Sequence, residues 1–523
     1  MRNARAVAGV RAAEGALMAL LPEGALMQRA AAGLAAACAG LLSRAARTGR
    51  ARGVYGSRVV VLTGSGDNGG DALYAAARLA ARGAEVTAVA AAGRMHEGGA
   101  AALRGSGGRV IEAAGQAADE AIAAADLIID GLLGIGGRGG LREPFAGLAA
   151  AAEQARQQGA TVVAVDLPSG IDADTGAVDG PAVRADVTVT FGAIKPGLLI
   201  DPGAGHAGTV ELIDIGLHPE GEPAALAPQR DDIGVLLPRP GPESDKYRRG
   251  VVGVLAGSDR YAGAAVLATG GAVRGGAGMV RVVTATVPAV AVRQAWPEAV
   301  LTVYPDDGDR DWDLIGSAGR VQAWAAGPGM GTGPDATARL AAVLGTDVPV
   351  LVDADGLTIL SQNPGLLPRA APTLITPHAG ELSRLVGTDP ADVEAHRLEH
   401  ARDAAEQLGV TVLLKGSTTV VARPGHPTVL VNPTGTPWLA TAGTGDVLSG
   451  LAGSLLAQGL EPAWAAAAAA YLHGLAARLA AAGTRRPGRR ASGPEDAGAH
   501  VPEAPIAAFD VVGALPAAIR SVS

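Results

Sequence analysis

A chain of 523 residues exceeds what one compact core usually serves, so two or three domains are expected. Hydrophobic residues at 48%, charged residues at 18% and a formal charge of −8 describe a mildly acidic, soluble type of protein and exclude a broad electrostatic footprint for nucleic acid. The single cysteine, Cys38 in an alanine-rich run, excludes an internal disulfide framework and any multi-cysteine metal site.

At the N-terminus, Arg2, Arg5, Arg11 and Glu14 interrupt the apolar residues, so neither a signal peptide nor a membrane helix is expected, and the cytoplasm is the expected compartment. From residue 57 apolar runs alternate with alanine-rich amphipathic stretches: Val59–Leu62, Glu85–Val89, Leu127–Asp130 and Thr161–Asp166. That alternation predicts a parallel sheet covered by helices on both faces. The segment Leu217 to Asp245, rich in Pro, Gly and Glu, breaks the rhythm and reads as a linker. A second alternating series follows, from Val251–Leu255 through Val348–Asp353 to Val412–Leu414, and ends in a long helix over Glu461–Ala482. The expected organisation is therefore α/β in two domains, residues 1–216 and 246–482, joined by a linker at 217–245. Residues 483–523 are expected as a partly disordered tail, since 483–505 is charged, rich in Pro and Gly, and without periodicity.

Of the 43 basic residues only three are lysines, Lys195, Lys246 and Lys415. A chain that fills solvent-facing cationic positions with arginine keeps a lysine either by chance or where a compact ammonium fits and a planar guanidinium does not.

In the first half, Thr63-Gly64-Ser65-Gly66-Asp67-Asn68-Gly69-Gly70-Asp71 follows a predicted strand and opens a predicted helix. Backbone N–H groups and the helix dipole can hold an anion at such a turn, and glycines let the backbone approach it. Two further strands end in Asp130-Gly131-Leu132-Leu133-Gly134-Ile135-Gly136 and Asp166-Leu167-Pro168-Ser169-Gly170. Ligands of open parallel sheets sit beyond the carboxyl ends of strands, so the three loops can share one crevice. Lys195, after the strand ending at Phe191, either reaches the same crevice or is a lysine of a surface turn.

These motifs, with the leading-helix sequence Leu26-Met27-Gln28-Arg29-Ala30, make Arg11 to about Gly216 resemble the epimerase domain of the NAD(P)H-hydrate repair enzymes. The resemblance implies a Rossmann-like three-layer αβα domain. It implies that Asn68, Asp130 and Ser169 help bind a potassium ion, whose hardness suits such oxygen ligands. It places the substrate's phosphates along Asp67, Asn68, Gly69, Gly70 and Asp71 and along the loop Gly134, Ile135, Gly136, Gly137, Arg138, Gly139 and Gly140. Asp166 would contact the substrate beside the reacting carbon as acid/base group. Two positions depart from the family pattern: Asp67 stands where a second asparagine is usual, adding a carboxylate near phosphate, and Ala72 stands where glycine is common.

In the second half, Ala442-Gly443-Thr444-Gly445-Asp446 leads into a helix whose first turn offers N–H donors to a transferring phosphoryl group. Asp446 could take a proton from a substrate hydroxyl or could simply cap the helix. Lys415-Gly416-Ser417-Thr418-Thr419 lies between two strand-like runs, and Thr376-Pro377-His378-Ala379-Gly380-Glu381 and Gly327-Pro328-Gly329-Met330-Gly331 follow others. With Gly257-Ser258, Tyr261 to Ala264, Arg274 to Gly278 and Asp353-Ala354-Asp355-Gly356, this order resembles the ribokinase-like fold and, within it, the ADP-dependent dehydratase of the same repair system.

That resemblance implies that Lys415, Gly416, Ser417, Thr418, Thr419 and Gly445 hold the nucleotide with Mg²⁺, while Ala264, Gly329, His378 and Asp446 contact the hydrated dinucleotide. His378 would bind substrate or act as acid/base. The implied partners are the hydrated dinucleotides NADHX and NADPHX and ADP, with no nucleic acid and no membrane, in a homo-oligomer. A ribokinase-like small-molecule kinase with an accessory first domain is the alternative, as is a scaffold that keeps both folds without catalysis.

Overall fold

The computed structural model describes residues 1–47, 53–91, 93–137, 139–304, 313–483 and 503–523. The chain divides into two units, Arg2–Ala225 and Leu226–Ser523, the latter with Met1. A short strand β1 (Arg2–Ala4) comes first in the chain.

The first unit contains β2 (Arg58–Thr63), β3 (Glu85–Ala90), β4 (Arg109–Glu112), β5 (Leu127–Gly131), β6 (Thr161–Val165), β7 (Val187–Phe191) and β8 (Thr209–Ile213). They form one sheet in the order β4-β3-β2-β5-β6-β7-β8, with every pairing parallel. Central strands such as Leu127–Gly131 are buried along their whole length, as strands covered on both faces must be. One apolar cluster joins the helices Ala25–Arg47 and Asp67–Ala80 to one face, and a second packs Phe145–Gln157 on the other. The strand order reverses between β2 and β5, where the turns leaving both strands open a crevice. The turns lie so close that a methyl at Gly64 would fall 2.1 Å from the Leu132 carbonyl oxygen.

In the second unit the strands are β9 (Ala225–Ala227), β10 (Val251–Leu255), β11 (Met279–Thr284), β12 (Val300–Val303), β13 (Ala323–Ala326), β14 (Val350–Val352), β15 (Thr373–Ile375), β16 (Thr411–Leu414), β17 (Thr419–Ala422) and β18 (Val429–Asn432). From β12 through β11, β10, β13, β14 and β15 to β16 the sheet is parallel; β17 and β18 continue it antiparallel, and β9 follows β18. The order again reverses, between β10 and β13. Two helices, Ala262–Arg274 and Thr444–Ala457, cross at backbone contact: a methyl at Gly450 would meet the Ala268 carbonyl oxygen at 1.9 Å, and one at Gly271 that of Val447 at 2.2 Å. Small residues at this crossing fix where the start of the Thr444 helix points.

Two stretches differ from their sequence expectation. The linker expected over 217–245 contains β9 and the helix Arg230–Leu236, whose Ile233 is buried in the second core. The tail expected over 483–523 ends in a helix, Ala508–Val522, that buries Val511, Val512 and Leu515 in the same core; residues 484–502 lie outside the described part. Its apolar spacing of three and four was readable, but it followed a stretch with no periodicity. Two helices, Ala25–Ala45 and Pro462–Ala482, are long and apolar enough to cross a bilayer; most of the latter is buried within its unit.

Candidate active sites

In the first unit, a cavity of about 490 Å³ lies at the sheet's topological switch. Its walls include Asp67, Asn68 and Asp71 from the turn after β2, Gly134, Ile135, Gly136 and Gly137 after β5, and Asp166 after β6. Gly69 and Gly70 face inward instead, packing on the Gly64 carbonyl and on Met27 and His96. Gly140 packs on Gly180, Gly139 is an exposed turn residue at φ 69°, and Arg138 lies outside the described residues.

Asp166 adopts φ 66°, a left-handed conformation rare outside glycine and often retained at functional positions. Its Oδ1 accepts hydrogen bonds from the Phe191 N–H at 3.2 Å, the Thr190 hydroxyl at 3.1 Å and the Lys195 ammonium. Lys195 is 1% exposed and also donates to Thr190 Oγ1 at 3.1 Å. It is buried and bonded to the cavity-lining Asp166, not placed in a surface turn.

Glu14 and Arg11, from the first helix, also line it. Burial, together with the charges of Asp166, Asp67 and Glu14, raises Asp71 well above the usual carboxylate range. Burial and Asp166 also raise Glu14, against the lowering influence of Lys195 and Arg11. The cavity is thus crowded with carboxyl groups, and protonation relieves their repulsion.

Beside it, Asp130 is fully buried. Its carboxylate accepts from the Ser169 hydroxyl at 2.7 Å, the Ser169 N–H at 2.8 Å and the Leu132 N–H at 3.2 Å, yet burial still pushes its pKa up to about 6. Ser169 Oγ lies 3.1 Å from the Leu133 carbonyl oxygen, and a methyl at Gly134 would sit 3.2 Å from Asn68 Oδ1. Asn68 Nδ2 is buried with no hydrogen-bond partner. These oxygen donors around a carboxylate that burial penalises fit a hard monovalent cation.

In the second unit the loops after β10, β13, β14, β15 and β16 leave the same edge of the sheet. Gly329 holds φ 60° directly against Ala264 and Tyr261. Lys415 Nζ donates to Asp353 Oδ1 at 2.8 Å and lies 3.4 Å from Glu381 Oε2. Burial disfavours its ammonium, but the two carboxylates outweigh that and raise its pKa. Asp353 Oδ2 accepts from the Ser449 hydroxyl at 2.5 Å, which ties β14 to the Thr444 helix. A methyl at Gly445 would stand 3.6 Å from Lys415 Nζ, so the helix start adjoins this pair.

Asp446 occupies the first turn of the helix, which follows Gly443 at φ 89°; no side-chain cap is formed at that N-cap. Burial first, then the negative charges of Asp353, Asp355 and Glu381, raise its pKa to about 7, with Lys415 opposing. The surplus of carboxylates fits a hard divalent cation arriving with a nucleotide.

His378 is exposed at the start of the helix Ala379–Val386, where its Nδ1 accepts from the Gly380 N–H at 3.0 Å while Glu381 accepts from the His378 N–H at 2.8 Å. Gly416 and Ser417 stand exposed at their turn, whereas Thr418 and Thr419 are buried, Thr419 within β17. The buried Arg397 supports that turn, donating to the Lys415 carbonyl at 2.7 Å.

Two family models divide the chain as the two sheets do: one described as YjeF-related protein N-terminus matches residues 23–197, and one described as NAD(P)H-hydrate dehydratase matches 252–492. The bifunctional NAD(P)H-hydrate repair enzyme of Mycobacterium leprae is 49% identical over 485 residues, 92% of this chain and 95% of that protein. The Mycobacterium tuberculosis enzyme of the same name is 49% identical over 89% of this chain and 92% of its own length. The chain belongs to the bifunctional NAD(P)H-hydrate repair enzymes. Among solved structures, the ADP/ATP-dependent NAD(P)H-hydrate dehydratase of Bacillus subtilis aligns with 56% of this chain and 98% of its own at 29% identity, with a TM-score of 0.47.

Membership in the repair-enzyme family agrees with the α/β class expected from strand–helix alternation. Sequence reasoning did not single out Glu14, Glu381, Ser449 or His473. Glu381 carried a signal, because a Glu three residues after a helix-start residue is a capping-box pattern. His473 carried none: it lies nearly thirty residues beyond the Thr444 carbonyl that its Nε2 meets at 2.9 Å.

Proposed function

We propose that the first unit epimerises the R and S forms of hydrated NADH and NADPH, and that the second dehydrates the S form using ADP, releasing AMP and phosphate. The observation that carries this reading is the Lys415–Asp353 pair at the start of the helix bearing Asp446, whose pKa is about 7. A carboxyl group with that pKa is part ionised at neutral pH and can accept the hydroxyl proton as the oxygen attacks.

Hydroxide is a poor leaving group, and phosphorylation of that oxygen replaces it with phosphate. Lys415 and the N–H groups at the helix start face the charge that builds on the transferring phosphoryl group. The ring-nitrogen electron pair then expels phosphate, and loss of a proton from the neighbouring ring carbon restores the dihydronicotinamide. Gly416, Ser417 and the backbone at Thr418 and Thr419 hold the nucleotide, while Ala264, Gly329 and His378 contact the dinucleotide. The Bacillus subtilis dehydratase was co-crystallised with ATP and Mg²⁺, in keeping with Mg²⁺ accompanying the nucleotide here.

In the first unit, inversion at the hydroxyl-bearing carbon requires a bond there to break and re-form on the opposite face. Asp166 takes the hydroxyl proton as the carbon–nitrogen bond opens to an aldehyde and returns it to the oxygen as the nitrogen re-adds to the other face, with Lys195 as its counter-ion. Asn68, Asp130 and Ser169 would hold potassium, which supplies positive charge beside the substrate's phosphates. The chemistry of both units suits the cytoplasm, where these dinucleotides reside.

The test is incubation of the chain with mixed hydrated NADH epimers, ADP and Mg²⁺, following the absorbance of reduced nicotinamide. Full recovery is expected. Recovery of the S fraction alone would remove the epimerase, and a stable phosphorylated product would turn the second unit into a kinase.

A further inference from the structure

Away from both sites, the chain turns a corner between the helices Pro390–Ala395 and Arg397–Leu408 at His396, whose φ of −126° and ψ of 50° leave the helical range. Asp392, His396 and His400 face one another across this corner. Asp392 Oδ1 lies 3.0 Å from His396 Nδ1, and Asp392 Oδ2 lies 2.8 Å from His400 Nε2. One ligand atom from each of the three lies within 4.8 Å of the others.

We propose that Asp392, His396 and His400 form a binding site for a divalent first-row transition ion of the zinc class. Metal–nitrogen and metal–oxygen bonds of about 2.1 Å place neighbouring ligand atoms roughly 3.0 to 3.4 Å apart. The two histidine nitrogens stand 3.0 and 2.8 Å from different oxygens of the Asp392 carboxylate, so rotation of the carboxylate and the imidazoles is needed to bring one atom of each residue from within 4.8 Å to that spacing. Two imidazoles and one carboxylate select zinc, cobalt, nickel or copper over magnesium or calcium, which prefer oxygen. The open side of the half-exposed cluster leaves the remaining coordination positions to water.

Its place in the fold gives such an ion a structural consequence. It would join three consecutive turns across a helix junction, next to Arg397, whose guanidinium holds the Lys415 carbonyl. The corner and the support of the Lys415 turn would stiffen together.

The test is a Co²⁺ titration of the full chain after treatment with a chelator. Visible ligand-field bands are expected at one equivalent, displaced by Zn²⁺ and insensitive to millimolar Mg²⁺. X-ray absorption on the Zn²⁺-loaded wild-type chain should find two imidazole nitrogens, and finding fewer would overturn the site without recourse to any variant. His396→Asn with His400→Asn keeps hydrogen-bonding groups near the Asp392 carboxylate but removes both strong ligands. It should lose at least tenfold in metal affinity while its chelator-treated form melts with the wild type. Unchanged affinity would leave the cluster as a hydrogen-bonded ion-pair group and nothing more.

Discussion

The two carboxyl groups proposed as acid/base groups are held in opposite ways. Asp166 accepts a hydrogen bond directly from a buried ammonium, Lys195, whereas the ammonium near Asp446, Lys415, gives its contacts to Asp353 and Glu381 instead. Asp446 is left among like charges and its pKa rises to about 7. On the proposed reading, a lysine–aspartate pair at the edge of a parallel sheet does two jobs: in one unit it would supply the acid/base group's counter-ion, and in the other it would assemble a phosphoryl site while leaving the base unpaired with it.

Asp446→Asn should produce the largest effect, a loss of roughly 10²–10⁴-fold in dehydration with epimerisation intact, measured by product formation from separated epimers. The same substitution should stabilise the fold. The pKa of Asp446 in the folded chain, about 7, is above its ordinary 3.8, so the protonated form is favoured by folding. Its contribution is fully present below about 4 and is lost as pH rises through 7. At pH 8 the Asn variant should be more stable, by up to about 4 kcal/mol, with the difference vanishing near pH 4 in denaturant titrations. Wild-type turnover of the S epimer should fall tenfold per unit as pH drops below about 7; a flat profile would show that another group takes the proton.

Lys195→Ala strikes the other half of the comparison. It leaves Asp166 buried without its counter-ion, which costs about 3–5 kcal/mol and should remove epimerisation while dehydration of the S epimer persists. Lys195→Arg should fail to rescue, because Lys195 is 1% exposed and packed to the shape of an ammonium. Rescue by arginine would mean that charge alone suffices at this position.

Much of this was legible in the sequence. The scarcity of lysine marked Lys195, Lys246 and Lys415 alike; Lys195 and Lys415 are paired with buried aspartates, while Lys246 stacks near the exposed Tyr247 ring at 5.3 Å. Strands such as Val251–Leu255 were readable because burial on both faces demands an unbroken apolar run. Illegible were features made by long-range contact. Glu14 reaches the first cavity from a helix some fifty residues before the glycine-rich turn, and Ser449 bonds Asp353 across 96 residues. The helix Ala508–Val522 has a readable apolar spacing of its own, but it follows a segment with no pattern and reads with that segment as tail.

Asp130→Asn should act more mildly on the first unit. With the fully buried carboxylate gone, epimerisation should slow about tenfold and lose any difference between potassium and lithium salts. A variant that kept the wild-type salt response would remove Asp130 from the cation site.

The smallest expected effect is at Asp67, where the family pattern has asparagine. Asp67 is exposed at the start of the helix Asp67–Ala80, and its charge helps raise the neighbouring Asp71. Asp67→Asn removes one repulsive charge from the place where substrate phosphates are expected, so KM for the hydrated dinucleotide should fall about two- to threefold at low ionic strength. Exposed charges are screened over about 10 Å at 0.1 M salt, so the gain should fade as salt is added, with kcat unchanged throughout. A change in kcat that survives high salt would place Asp67 in the proton transfers of the first unit, and its carboxyl group would then stand beside Asp166 as part of the reaction.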